Sequence, residues 1–169
     1  AITQNFYNDT YFSDQNACTA PRVVIWLGKD KDRAKRIFWE KIHCKAKSEY
    51  KLAPVQSVGK LSAFCRVASQ KDVKLVKSED EFVTRITLNS LDDDIMDFKY
   101  NSGFFFEYDA DDLKDILLIA TERCQTLTYF GLTNEELRSF MTTFAPHGID
   151  RAVPMGKSMD FTLVWDGYD

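Results

Sequence analysis

Cys18 is the residue whose setting most invites chemistry. It follows Ser13, Asp14, Gln15 and Asn16, whose side chains favour turns and helix starts through local hydrogen bonds, and Pro21 comes shortly after it. The pattern predicts a short helix with Cys18 in its first turn, ended by Pro21. A thiol there lies beside backbone N–H groups that lack intrahelical partners, and these favour the thiolate, the nucleophilic form of cysteine. The same donors would hold the oxyanion of a tetrahedral intermediate on a bound acyl group. The competing reading is that Cys18 is a small buried hydrophobe with no chemical duty.

The elements around this turn read as a repeated alternation of strands and amphipathic helices. Residues 22–27, RVVIWL, form a nearly continuous apolar run closed by Gly28, which predicts a strand buried on both faces. Residues 31–50 carry Ala34, Ile37, Phe38, Ile42 and Ala46 at helical spacing. Pro54 suits the first turn of a second helix whose Val55, Val58, Leu61, Cys65 and Ala68 would face the core. Short strands are predicted at 73–76, 82–88 and 104–108, with the acidic stretch LDDDIMD as a solvated loop. A helix beginning at Asp109 or Ala110 would bury Leu113, Ile116, Leu117 and Ala120. Residues 124–131 return as a strand. Thr133 and Glu136 then fit a capping box for a helix burying Leu137, Phe140, Met141 and Phe144, with Gly148 as its stop. Residues 151–155 and 161–165 are the last predicted strands. The fold class is α/β, a mainly parallel sheet with helices on both faces.

Composition excludes several functions. The 169 residues, 44% hydrophobic and 14% aromatic, suffice for one domain with a sizeable core. A net charge of −4 and a pI near 5.3 offer no basic footprint for nucleic acid or an anionic membrane. No apolar run reaches the ~20 residues of a membrane span, and the first residues lack the pattern of a signal peptide. A soluble cytoplasmic protein is the expectation. Cys18, Cys44, Cys65 and Cys124 are widely spaced and only His43 and His147 accompany them, so no metal site is assigned. Cys44, Cys65 and Cys124 fall on stripes or strand starts that read as buried, where a thiol has little thiolate character. Asp92 to Asp94 read as solvated. His147 reads as the last turn of a helix, stabilised by the dipole.

Two stretches carry a resemblance. SDQNACTAPRVVIW, residues 13–26, resembles the catalytic-cysteine segment of the acyl-CoA reductases of bacterial luminescence, the LuxC family, a branch of the aldehyde dehydrogenase superfamily. GIDRAVPMGKSMDFTLVWDGYD, residues 148–169, is similar to that family's C-terminal signature. Gln15 matches the glutamine-containing turn before the superfamily's nucleophile, and Cys18 matches the nucleophile itself. The resemblance implies an aldehyde dehydrogenase-like catalytic domain over residues 1–169, with the cofactor domain expected upstream and absent here. It implies NADPH-dependent reduction of long-chain fatty acyl-CoA to fatty aldehyde through an acyl-cysteine thioester, the aldehyde feeding luciferase. The partners implied are fatty acyl-CoA or an acyl-protein synthetase as acyl donor, within a homo-oligomeric fatty acid reductase complex. Where the superfamily often has E-x-F-G-P to hold the nicotinamide ribose, residues 98–103 read FKYNSG, so no cofactor-binding residue is assigned. The alternatives are an aldehyde-oxidising member of the superfamily, or a non-catalytic assembly domain pairing through its C-terminal strand.

Overall fold

The FFFEYD run forms the strand that the rest of the chain covers. Phe104, Phe105 and Phe106 are each at most 1% exposed, as a strand packed on both faces requires. The computed structural model describes residues 1–76 and 80–160. In order these form α1 (Ile2–Thr10), β1 (Val23–Trp26), α2 (Lys31–Glu49), α3 (Pro54–Ala68), β2 (Val73–Val76), β3 (Thr84–Leu88), β4 (Phe104–Asp109), β5 (Thr126–Tyr129), α4 (Asn134–Phe144) and β6 (Arg151–Pro154). One sheet runs β1–β4–β3–β2, with β1, β4 and β3 parallel and β2 antiparallel to β3. The α/β class with a mainly parallel sheet is therefore the fold observed.

Side chains alternate across β3 and β4, and each face has its own cover. Ile86, Leu88, Phe104 and Phe106 pack with Ala63 and Val67 of α3 and with Ile95, Phe98, Ile116 and Ile119. Phe105 and Val83 pack on the other side with Phe6 and Tyr11 from the N-terminal segment and Trp39, Ile42 and Ala46 of α2. On that face the buried Glu107 carboxylate accepts from the indole N–H groups of Trp26 (2.9 Å) and Trp39 (2.5 Å) and pairs with Arg85 at 2.7 Å. A buried carboxylate with three donors is satisfied.

Several expectations are corrected. The strand expected to be buried on both faces, β1, is half-buried and among the described residues pairs only with β4, whereas β4 lies between β1 and β3. Helix α1 is an element the sequence reading did not place; the Phe6 ring, with its centroid 4.9–5.9 Å from those of Phe38, Trp39 and Phe105, anchors it. On α2 Ile37 is exposed and Trp39 is buried. On α3 the expected core stripe faces outward, with Val55, Val58 and Leu61 73%, 65% and 61% exposed and Cys65 exposed too. The helix carries a second stripe, Lys60, Ala63, Phe64 and Val67, and that one meets the sheet. LDDDIMD contains a 3-10 helix (Ile95–Phe98) that buries Ile95 and Phe98, while Asp92 and Asp94 both hold Lys71, at 3.0 and 2.6 Å. The helix expected from Asp109 or Ala110 is a 3-10 helix (Leu113–Leu118) capped by Asp112.

Strands β5 and β6 stand apart from the main sheet as a parallel pair joined through α4. The capping box at its start is as expected: Thr133 Oγ1 accepts from Glu136 N–H at 3.2 Å, and Glu136 accepts from Thr133 N–H at 2.8 Å. The helix stops earlier than expected, at left-handed Ala145 (φ 41°) ahead of Pro146. His147 therefore lies beyond the helix and is exposed, without the dipole contact expected of it. The strand expected at 161–165 lies outside the described residues. No described helix is long and apolar enough to cross a membrane.

Candidate active site

The loop between α1 and β1 is shaped by two consecutive left-handed residues, Asp14 (φ 53°) and Gln15 (φ 60°). Such backbone costs about 1–2 kcal/mol per non-glycine residue, so its partners must offset it. Gln15 is fully buried and uses its whole amide: Oε1 accepts from Gly103 and Phe104 N–H, both at 3.0 Å, and Nε2 donates to Pro21 O at 2.8 Å and Phe104 O at 3.0 Å. Its backbone N–H donates to Thr10 O at 2.7 Å, and its carbonyl accepts from Arg22 at 2.5 Å. Asp14 O accepts from Ser102 N–H at 3.0 Å, and Asp14 Oδ1 from the Tyr50 hydroxyl at 2.8 Å. The facing segment has its own positive φ at Ser102 (60°) and Gly103 (83°). A Cβ on Gly103 would lie 2.4 Å from Phe82 O and 2.5 Å from the Tyr11 hydroxyl, so only glycine fits there.

Cys18 occupies the second position of a turn closed by Ala20 N–H donating to Ala17 O at 3.0 Å, not the first turn of a helix as expected. The physical reason is that the left-handed pair at 14 and 15 redirects the chain before a helix can propagate. The thiol is exposed, which removes the reading of Cys18 as a buried hydrophobe. Among the described residues neither the Cys18 nor the Thr19 N–H has an acceptor, so both remain available as donors in the turn that carries the thiol. The Thr19 hydroxyl donates to Met159 Sδ at 3.5 Å, bringing the C-terminal GKSMD stretch onto the turn. Phe12 stands on the same loop with its ring 82% exposed.

Arg22 closes the floor of the loop, donating to Tyr100 O at 2.6 Å as well as to Gln15 O. Partial burial lowers its pKa from the usual guanidinium value. Tyr11 beneath the loop donates to Phe82 O at 2.9 Å, and burial pushes its phenol well above the usual value, which keeps it neutral. Residues 98–103, the stretch without the superfamily's glutamate, do lie against this loop. Their groups are taken up in holding it: Tyr100 O by Arg22, Asn101 by Asn16 at 2.9 Å, Ser102 N–H by Asp14 and Gly103 N–H by Gln15.

The other candidate residues are not brought to Cys18. Cys44 and Cys65 are exposed rather than buried, and Cys124 is half-buried with its thiol pKa raised by that burial. His43 Nε2 is hydrogen-bonded to Asp80 Oδ1 at 2.8 Å. Among the described residues no group of three or more His, Cys, Asp or Glu side chains is placed to hold a metal ion. Two surface depressions of about 440 and 340 Å³ are rimmed by carboxylates, Asp112, Glu135 and Glu136 in one and Asp93, Asp94, Asp97 and Glu122 in the other.

No family model matches the chain, and no curated protein matches it. A solved structure does: succinic semialdehyde dehydrogenase from Streptococcus pyogenes, in complex with NADP+ as the cofactor, aligns with 95% of this chain at a TM-score of 0.65 and 16% identity. The chain spans 38% of the length of that structure. The likeness is one of fold, and the α/β arrangement described above is that of an aldehyde dehydrogenase-like domain.

Proposed function

We propose that this chain carries the acyl-accepting cysteine of a reductase that converts long-chain fatty acyl-CoA to fatty aldehyde, with NADPH as hydride donor. The observation that carries the reading is the exposed Cys18 thiol in a turn whose Cys18 and Thr19 N–H groups have no acceptor among the described residues, on an aldehyde dehydrogenase-like fold. Cys18 loses its proton to solvent, and the thiolate attacks the thioester carbon of the substrate. The carbonyl electron pair moves onto oxygen, where the Cys18 and Thr19 N–H groups stabilise it. Collapse breaks the bond to coenzyme A, whose thiolate leaves and is protonated, so acyl-Cys18 and free coenzyme A are the products. The exposed Phe12 ring, on the same loop as Cys18, is an apolar surface that an acyl chain could cover.

Neither residues 98–103 nor the two depressions fit a dinucleotide. Residues 98–103 are engaged in holding the Cys18 loop, and both depressions present carboxylates that would repel a pyrophosphate. NADPH would then be a co-substrate bound outside these residues, and it would supply the hydride that turns the thioester into aldehyde. By the resemblance at residues 13–26 and 148–169, the aldehyde would feed luciferase and an acyl-protein synthetase would hand over the acyl group within a homo-oligomeric complex.

The test is incubation with a long-chain acyl-CoA in the absence of NADPH, followed by peptide mass mapping. A thioester adduct on Cys18 is expected. No adduct, or one on another cysteine with Cys18 free, overturns the proposal. The second reading, aldehyde oxidation, is favoured by the name of the solved neighbour. It predicts no adduct from acyl-CoA under the same conditions.

A further inference from the structure

The C-terminal stretch 155–160 is gripped from both sides. Asp9, 1% exposed, accepts from Gly156 N–H at 2.5 Å and Ser158 N–H at 3.2 Å. One turn earlier on the same face of α1, Asn5 donates to Met155 O at 3.1 Å, and a Cβ on Gly156 would come within 2.6 Å of the Asn5 side chain. From the other side the Arg151 guanidinium donates to the carbonyls of Ser158 (2.9 Å), Lys157 (2.9 Å) and Asp160 (2.6 Å). An anion thus holds the loop's N–H groups and a cation its carbonyls, which fixes both ends of its peptide dipoles. The residue presented by this grip is Met159, whose sulfur meets the Thr19 hydroxyl, one residue after Cys18. The other end of α1 also reaches the turn, through Thr10 O accepting from Gln15 N–H.

We infer that Asp9 is a positioning residue for the nucleophile: by holding Gly156 and Ser158 N–H it seats Met159 against Thr19, so that loop 155–160 forms the second wall of the Cys18 site. Asp9 touches no reacting atom and acts through the loop. The kinetic arm of the inference rests on the acyl-accepting role of Cys18; the structural arm does not.

Asp9→Ala leaves two N–H groups without an acceptor, whereas Asp9→Asn retains one acceptor oxygen. Native-state hydrogen exchange is measured on peptides covering 155–160, 16–21 and, as a control, 104–109. In Asp9→Ala, exchange is expected to rise about tenfold or more in both 155–160 and 16–21 with 104–109 unchanged, and Asp9→Asn is expected to fall between it and the wild type. Acylation of Cys18 by a long-chain acyl-CoA is expected to drop about tenfold in Asp9→Ala while alkylation by iodoacetamide changes less than about threefold. A rise confined to 155–160, or wild-type acylation in folded Asp9→Ala, overturns the inference. Should Asp9→Ala unfold globally, Met159→Ala decides: faster exchange at 16–21 with 155–158 unchanged supports the seat, and no change at 16–21 refutes it. If the wild type itself takes no acyl group, the function proposed above fails and the exchange data alone judge Asp9.

Discussion

Replacing Gln15 by alanine tests the claim that this amide, rather than local helix capping, shapes the Cys18 loop. The substitution strands four groups at once: Gly103 N–H, Phe104 N–H, Pro21 O and Phe104 O. Each buried group without a partner costs about 1–3 kcal/mol. If a water entering the space recovers half of them, about 2–6 kcal/mol remains, a large share of the ~5–15 kcal/mol that stabilises an ordinary domain. At about 2–4 °C per kcal/mol for a chain of this size, the melting temperature should fall by about 4–24 °C. Gln15→Glu is the informative companion, since a carboxylate still accepts from the two N–H groups but faces two carbonyl oxygens instead of donating to them. It should fall between wild type and Gln15→Ala. Thermal unfolding by circular dichroism, with the alkylation rate of Cys18 followed in parallel, reads both effects. A Gln15→Ala protein melting within about 2 °C of wild type would refute the reasoning.

Gly59 sits inside α3, where alanine normally stabilises by about 0.5–1 kcal/mol. Here its Cβ would lie 1.8 Å from the Tyr100 hydroxyl, so Gly59→Ala should instead lose about 1–3 kcal/mol in urea unfolding, and a gain in stability would contradict the packing described. Lys60 donates to Glu81 O, and burial lowers its pKa to about 8. An unfolded lysine titrates near ~10.4, so between these values the unfolded chain binds more protons and stability rises with pH. Relative to Lys60→Met, the wild type should gain on the order of 3 kcal/mol from pH 8 to pH 10.4; a pH-independent difference between the two would be the contrary result. Iodoacetamide at neutral pH should label exposed Cys18, Cys44 and Cys65 ahead of half-buried Cys124, whose pKa is raised. Mass mapping that finds Cys124 labelled first would contradict the burial described.

Sequence alone determined the features whose partners lie within a few residues. The capping box of Thr133 and Glu136, Pro54 at the start of α3 and the apolar run of β4 each follow from contacts or periodicities that adjacency sets. The candidate nucleophile was legible too, because a resemblance attaches to the residues around Cys18. Tertiary structure decided whatever depended on a choice between equivalent local options. Helix α3 has two apolar stripes, and which one is buried is settled by the Tyr100 ring against Gly59 and by Lys60 reaching Glu81 O. Strands β1 and β4 are both apolar runs, and only pairing gave β4 a neighbour on each side, β1 and β3, where β1 has one among the described residues. The roles of Gln15 and Asp9 were hidden for the same reason. Gln15 Oε1 accepts from N–H groups 88–89 residues away and Asp9 from N–H groups 147–149 away, so these hydrogen bonds exist only once the chain has folded.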